Sequence, residues 1–251
     1  MARTFIWYML SLHRGKVIAF ILLYAFANDV SAQYRGGGNT NFDDYKSKDY
    51  YFGISLGFNS SKHQVFQSKE FIGNPDVRLV QGAAATGFTV HGIVNYKLGD
   101  FFDFRMLPGI SFTTRHLDFN EEFDPVIGTT VSNRTSIESI FAEIPLHIRY
   151  KSAPYKDKRA FIVGGLNYSF DLASNSQTRQ ADDFIKISPH EFRLEAGVGM
   201  QFFFQFFILS PELKFSQGIN NTLLFNDQII ESTALEKLLS RTITLSFHIE
   251  G

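Results

Sequence analysis

The sequence predicts an all-β fold: an eight-stranded, antiparallel, up-and-down transmembrane β-barrel. Three observations predict it. Eight segments alternate apolar and polar residues with the two-residue period of a strand, the connections between them alternate long and short, and the chain opens on the pattern of a secretory leader. The closing stretch SRTITLSFHIEG shows the alternation: Ile243, Leu245, Phe247 and Ile249 make one face, and Thr242, Thr244, Ser246, His248 and Glu250 the other.

Residues 1–32 read as a signal peptide. Arg3, Arg14 and Lys16 precede an apolar run from Val17 to Ala27, and Val30, Ser31 and Ala32 put small residues where a signal peptidase cuts. That run is shorter than the roughly 20 residues a helix needs to cross a bilayer. Residues 33–49, QYRGGGNTNFDDYKSKD, are polar, Gly-rich and aperiodic, as expected of a flexible periplasmic lead-in. The barrel is assigned to residues 50–251.

The first strand, 50–59, sets Phe52, Ile54, Leu56 and Phe58 against Tyr51, Gly53, Ser55, Gly57 and Asn59. The second, 86–98, sets Phe88, Val90, Val94 and Tyr96 against Thr89, His91, Asn95 and Lys97. In the third, 102–116, Phe104, Met106, Ile110 and Phe112 oppose Asp103, Arg105, Ser111, Thr113 and Arg115. The fourth, 137–150, places Ile140, Ile144, Leu146 and Ile148 opposite Ser139, Glu143, His147 and Arg149. The fifth, 160–172, opposes Ile162, Leu166, Tyr168 and Phe170 to Gly165, Asn167, Ser169 and Asp171. The sixth, 190–204, opposes Phe192, Leu194, Val198 and Met200 to Arg193, Glu195, Gly197, Gly199 and Gln201. The seventh, 206–217, opposes Phe207, Leu209, Leu213 and Phe215 to Ser210, Glu212, Lys214 and Ser216, and residues 242–250 make the eighth.

Connections near 60–85, 117–136, 173–189 and 218–240 are long and polar; those near 99–101, 151–159 and 205 are short. An outer-membrane barrel with both termini in the periplasm has this rhythm. Pro108, Pro145 and Pro211 fall inside strands, and because a closed barrel has no edge to hold a proline, bulges are expected there. In the last long connection, Leu235, Leu238 and Leu239 of STALEKLLSR stand at helical spacing, which predicts a short helix over the extracellular mouth.

Periodicity does not say which face meets solvent. With the apolar faces inward, as in a soluble carrier, Gly53, Gly57, Gly165, Gly197 and Gly199 would lie on the outer surface. With those faces turned to lipid, the glycines make room for large side chains in a narrow bore. The interior then gathers Arg105, Arg115, Glu143, His147, Arg149, Arg193, Glu195, Glu212 and Lys214, mixed in sign, so that pairing offsets the loss of hydration. We read this set as a structural polar core in preference to an ion path, because eight strands leave no open channel. His147 and Glu143 share a strand face four residues apart.

Several functions are excluded. A net charge of −1 from 24 basic and 25 acidic residues lacks the basic excess of a nucleic-acid binder. The absence of cysteine removes disulfides and thiolate chemistry. His91, His147, His190 and His248 have no G-x-S-x-G elbow beside them. Asp43 and Asp44 lack the ligand spacing of a calcium loop, and RGGG lacks the Lys of a phosphate loop. No catalytic residue, cofactor, metal or small-molecule substrate is predicted. The 28 Phe and ten Tyr suit strands and interfacial girdles.

The stretches FDDYKSKDYYFGISLGFN (42–59), EIPLHIRYKS (143–152), RAFIVGGLNYSFDLAS (159–174), LSPELKFSQGIN (209–220) and LEKLLSRTITLSFHIEG (235–251) together resemble the PorT family. These are small outer-membrane barrels associated with the type IX secretion system. Asn167 departs from the Lys that the resemblance leads one to expect. The resemblance implies a non-enzymatic, eight-stranded barrel in the outer membrane of a diderm bacterium, needed for secretion of cargo and, in gliding relatives, for motility. Its expected partners are outer-membrane lipid and other outer-membrane or periplasmic proteins of the secretion system. Loops and turns, among them KSAPYKDK (151–158), are the expected contact surfaces.

Overall fold

In a computed structural model the described residues are 40–67, 77–124, 129–173, 188–223 and 235–251. The expected signal peptide and the start of the lead-in lie outside them. Among the described residues helix α1 (Thr40–Lys46) precedes nine strands: β1 (Tyr50–Gln67), β2 (Val77–Lys97), β3 (Phe102–Met106), β4 (Gly109–Asp124), β5 (Thr129–Lys151), β6 (Lys158–Asp171), β7 (His190–Phe203), β8 (Ile208–Gly218) and β9 (Leu235–Glu250). All pair antiparallel, and β1 pairs with both β2 and β9, so the sheet closes. β3 and β4 each pair with β2 and β5 and together form one stave, giving an eight-staved barrel.

The register sets the bore. Following paired residues from Phe52 leads through Val94, Met106, Leu146, Leu166, Leu194, Gln217 and Arg241 and returns to β1 at Lys62, ten residues further along. With rises near 3.3 Å and strand spacings near 4.8 Å, this stagger over eight staves gives a tilt of about 41° and a backbone radius of about 8 Å. Side chains from opposite walls fill such a cylinder.

Burial alternates along every stave. Phe52, Ile54, Leu56 and Phe58 project outward, while Ser55, Asn59, Ser61 and His63 are buried. The glycines serve the narrow bore. A Cβ on Gly199 would lie 2.3 Å from Cζ of Phe161 and 2.6 Å from the Pro211 carbonyl oxygen, so this position must stay bare for the Phe161 ring to lie across it.

The three prolines do not create bulges. Val94 pairs with Met106 and His91 with Gly109, so the register is unchanged across Pro108. Pro145 pairs with Asn167, and Pro211 with Phe247, in unbroken registers. Each proline removes its own donor while its neighbours keep theirs: Gly92 N donates to Pro108 O at 2.8 Å, and Leu107 N to Pro145 O at 3.0 Å. Losing one bond costs about 1 kcal/mol, which a closed ladder tolerates without slipping. The register shifts that do occur lie at Phe66/Gln67, Val77/Leu79, Ala84/Phe88 and Asn120/Phe123, outside all three proline sites.

Strands also run further than expected. Much of 60–85 and 117–136 is strand, because the ladder continues past the residues where the alternation is plain. The segment expected to form a helix over the mouth is the start of β9. Leu238 and Leu239 pair with Val65 and Gln64, and Leu238 is fully buried. From Lys237 onward the segment pairs with β1 residue by residue, whereas so short an isolated helix is marginal in water.

A second departure lies in the lead-in, where residues 40–46 form α1. The short connections β2–β3, β5–β6 and β7–β8, together with both ends of the barrel chain, share one end of the cylinder, and α1 packs there. Among the described residues no helix is long and apolar enough to cross a membrane.

Candidate functional site

Each of the nine interior residues expected from the sequence is buried in the bore. With them lie Asp103, Lys151, Arg159, Asp171, Glu191 and Glu250. Among the described residues the buried cations are Arg105, Arg115, Arg149, Lys151, Arg159, Arg193 and Lys214, and the buried anions are Asp103, Glu143, Asp171, Glu191, Glu195, Glu212 and Glu250. Seven stand against seven, so the described interior is formally neutral.

The pairs fall into three layers. Toward the short-turn end, Arg149 Nη2 lies 2.6 Å from Asp103 Oδ2, Arg105 Nη2 lies 2.5 Å from Glu250 Oε1, and Lys151 reaches Asp103 Oδ1. Arg149 also donates to Tyr51 Oη and to Asn95 Oδ1, the latter at 3.2 Å. In the middle, Glu143 accepts from Arg193, and His91 Nε2 lies 3.2 Å from it; Glu195 meets His147 at 2.6 Å, Lys214 at 2.8 Å and Ser216 at 2.9 Å. Further along, Arg115 pairs with Glu191 at 3.2 Å.

His147 and Glu143 share the inward face of β5, as expected, but are not partners of each other. Residues four apart on a strand are separated by about 13 Å, so each turns across the bore to another stave. Asn167 bridges the two acids, donating to Glu195 Oε1 at 3.0 Å and to Glu143 Oε2 at 3.4 Å. The interior is not wholly polar either. Phe141 is buried with the Arg115 and Arg193 guanidinium groups 5.1 and 5.8 Å from its ring centre, and Phe161 lies 5.0 Å from that of Arg149. An arginine stacked on an aromatic face keeps its edge free for carboxylates.

A cavity of about 20 Å³ lies among His91, Glu143, Arg193, Glu195, Lys214 and His248. That is room for one or two water molecules. It can serve interior polar atoms without a protein partner near it, such as Nδ1 of His248, whose Nε2 lies 3.3 Å from Glu212 Oε2.

At the short-turn end α1 closes the mouth. Phe42 and Tyr45 pack on Phe203 and Ile208, with the Phe42 and Phe203 rings edge to face at 5.1 Å. The Asp157 carboxylate accepts the amides of Asn41 at 3.1 Å and Phe42 at 3.0 Å, and Lys97 Nζ donates to the carbonyls of Tyr45 and Lys46. A carboxylate at the first turn and an ammonium at the last match the helix dipole. Sequence reading missed this because both caps come from distant parts of the chain, the end of β2 and the β5–β6 turn. Asp157 reaches the helix from a two-residue hairpin in which Lys156 and Asp157 have φ of 48° and 54°, held by reciprocal backbone bonds between Tyr155 and Lys158.

Asp43 lies on α1 and is exposed. No group of three or more His, Cys, Asp or Glu suited to a metal occurs among the described residues.

A family model described as an outer membrane protein β-barrel domain matches residues 26–224. No curated protein matches the chain in sequence. Among solved structures, the chain is similar to the outer membrane protein OprG from Pseudomonas aeruginosa (10% identity, TM-score 0.43, covering 81% of this chain and 97% of that one). It is also similar to Neisserial surface protein A (10% identity, TM-score 0.40, 79% and 95%). A third is Ail, the attachment invasion locus protein of Yersinia pestis (13% identity, TM-score 0.35, 81% and 100%).

Proposed function

This chain belongs to the outer membrane protein β-barrel domain family and is an outer-membrane barrel; from that premise we propose that it is a non-enzymatic accessory or assembly component of type IX protein secretion, and not the cargo pore. The observation that carries the negative half is the filled bore. An eight-staved cylinder about 8 Å in backbone radius, packed with paired charges, has no room for a folded chain. The positive half rests on the resemblance of five stretches to the PorT family, which run from residue 42 to residue 251.

A barrel of this kind works through its surfaces. The outward apolar wall contacts lipid, the short turns with α1 face the periplasm, and the long connections face outward from the cell. Partners among the secretion proteins would dock on those turns and connections.

Deletion of the gene, followed by assay of secreted cargo and complementation, tests the proposal. Loss of secretion, restored by the wild-type gene, is expected, as is recovery of a secretion component when the protein is purified in mild detergent. Normal secretion in the deletion strain would instead leave a general structural, porin-like barrel. Altered lipid A there would point to a lipid-modifying enzyme.

A further inference from the structure

We propose that the short-turn mouth of the barrel, under α1, binds a phosphate group. A cavity of about 40 Å³ opens there, lined by Lys46, Lys97, Lys151 and Arg159 against one lining carboxylate, Asp100. The charge balance of the bore breaks down at this point. Deeper in, Arg105, Arg115, Arg149, Arg193 and Lys214 each have a carboxylate within ion-pair distance, and Lys151 shares Asp103 with Arg149. Among the described residues Arg159 is the buried cation without one. Its Nε donates to Ser152 O at 2.8 Å and its Nη2 to Asp100 O at 2.7 Å. Neutral carbonyls orient a guanidinium without cancelling its charge. The Phe42 ring, 5.1 Å from its carbon, holds the plane in place.

A second observation is independent of the cations. Gln201 lines the same cavity, is 1% exposed, and its Oε1 has no hydrogen-bond partner. A buried acceptor left unmade is costly, so the site asks for a ligand that is an anion toward Arg159 and the lysines yet a donor toward Gln201. A phosphate that keeps one proton, or that carries a neighbouring hydroxyl, meets both demands; sulfate has the shape and charge without the donor. Inorganic phosphate and the headgroup of phosphatidylglycerol share this chemistry. The aromatic walls, Phe42 and Phe203, shield the site from bulk water.

The full chain, refolded in detergent micelles, is titrated with inorganic phosphate by calorimetry, with sulfate as the control. In a second arm, native mass spectrometry follows retained lipid on protein released from nanodiscs containing phosphatidylglycerol. Saturable one-to-one binding is expected in one arm at least, weakened about tenfold in Arg159→Gln and in Gln201→Leu. Lys46→Gln, a change on an exposed side chain, is expected to weaken it less and serves if Arg159→Gln does not fold. Phosphate binding without a lipid adduct identifies free phosphate as the ligand, and an adduct lost in Arg159→Gln identifies the headgroup. Binding in neither arm, binding unchanged in the variants, or sulfate bound as tightly as phosphate would overturn the proposal.

Discussion

The carboxylate of Asp157 accepts the backbone amide of Phe42 at 3.0 Å, tying a turn late in the chain to the first turn of the helix that precedes the barrel. Asp157 also takes the amide of Asn41, so two of the four unpaired donors of α1 end on one residue. In Asp157→Ala the helix should lose about 1 kcal/mol of its docking stability. Hydrogen exchange at residues 40–46 should then speed up while exchange within the strands does not. Equal exchange in wild type and variant would show that the cap contributes nothing.

Lys156 holds a left-handed backbone without being glycine, a conformation that costs an L-residue roughly 1–2 kcal/mol. Lys156→Gly should therefore leave the barrel as stable as wild type, or up to about 1 kcal/mol more so, with α1 still protected. Urea titration followed by the mobility shift of folded barrels on gels reads this directly. A destabilised variant would mean that the lysine side chain matters in its own right.

Glu143 receives Arg193, His91 and Asn167 inside the bore. Glu143→Ala takes the nearest carboxylate from the buried Arg193 guanidinium, leaving Glu191 at 3.9 Å, and should cost about 3 kcal/mol. The double variant Glu143→Leu with Arg193→Met removes both charges and should recover much of that loss. A double variant as unstable as the single one would mean that the cost lies in packing.

Leu213 projects outward from the middle of β8. Leu213→Arg should cost roughly 2–4 kcal/mol in lipid vesicles, because the midplane cannot hydrate the charge. Refolding yield in vesicles reports it, and a silent substitution would contradict the outward orientation of the apolar faces.

Gly199 lies beneath the Phe161 ring. Gly199→Val should destabilise by about 1–3 kcal/mol through overpacking, and Phe161→Ala in the same chain should relieve part of it. Additive losses from the two changes would show that the residues do not meet.

Much of the barrel was legible in the residues. Where one face meets lipid and the other the bore, as along Leu245, Ser246, Phe247 and His248, the two environments demand opposite chemistry and the alternation is plain. It fades beyond the membrane, which is why the start of β9 reads as helical until Leu238 is seen beside Val65. Inward apolar residues such as Phe161 were equally hidden, since their partners, Gly199 and Arg149, lie on other staves. The prolines misled for a related reason: a missing donor can be read from sequence, but the neighbouring bonds that hold the register cannot.

The sequence by itself determined the number of staves, their orientation to lipid and a core set of the residues that enter the bore, from Arg105 to Lys214, because each follows from a two-residue period and the cost of charge in hydrocarbon. Tertiary structure alone decided which charges pair, that α1 closes one mouth, and that Arg159 is left there without a carboxylate. Those outcomes depend on the ten-residue stagger that brings distant staves level, and no local pattern encodes a stagger accumulated around the whole ring.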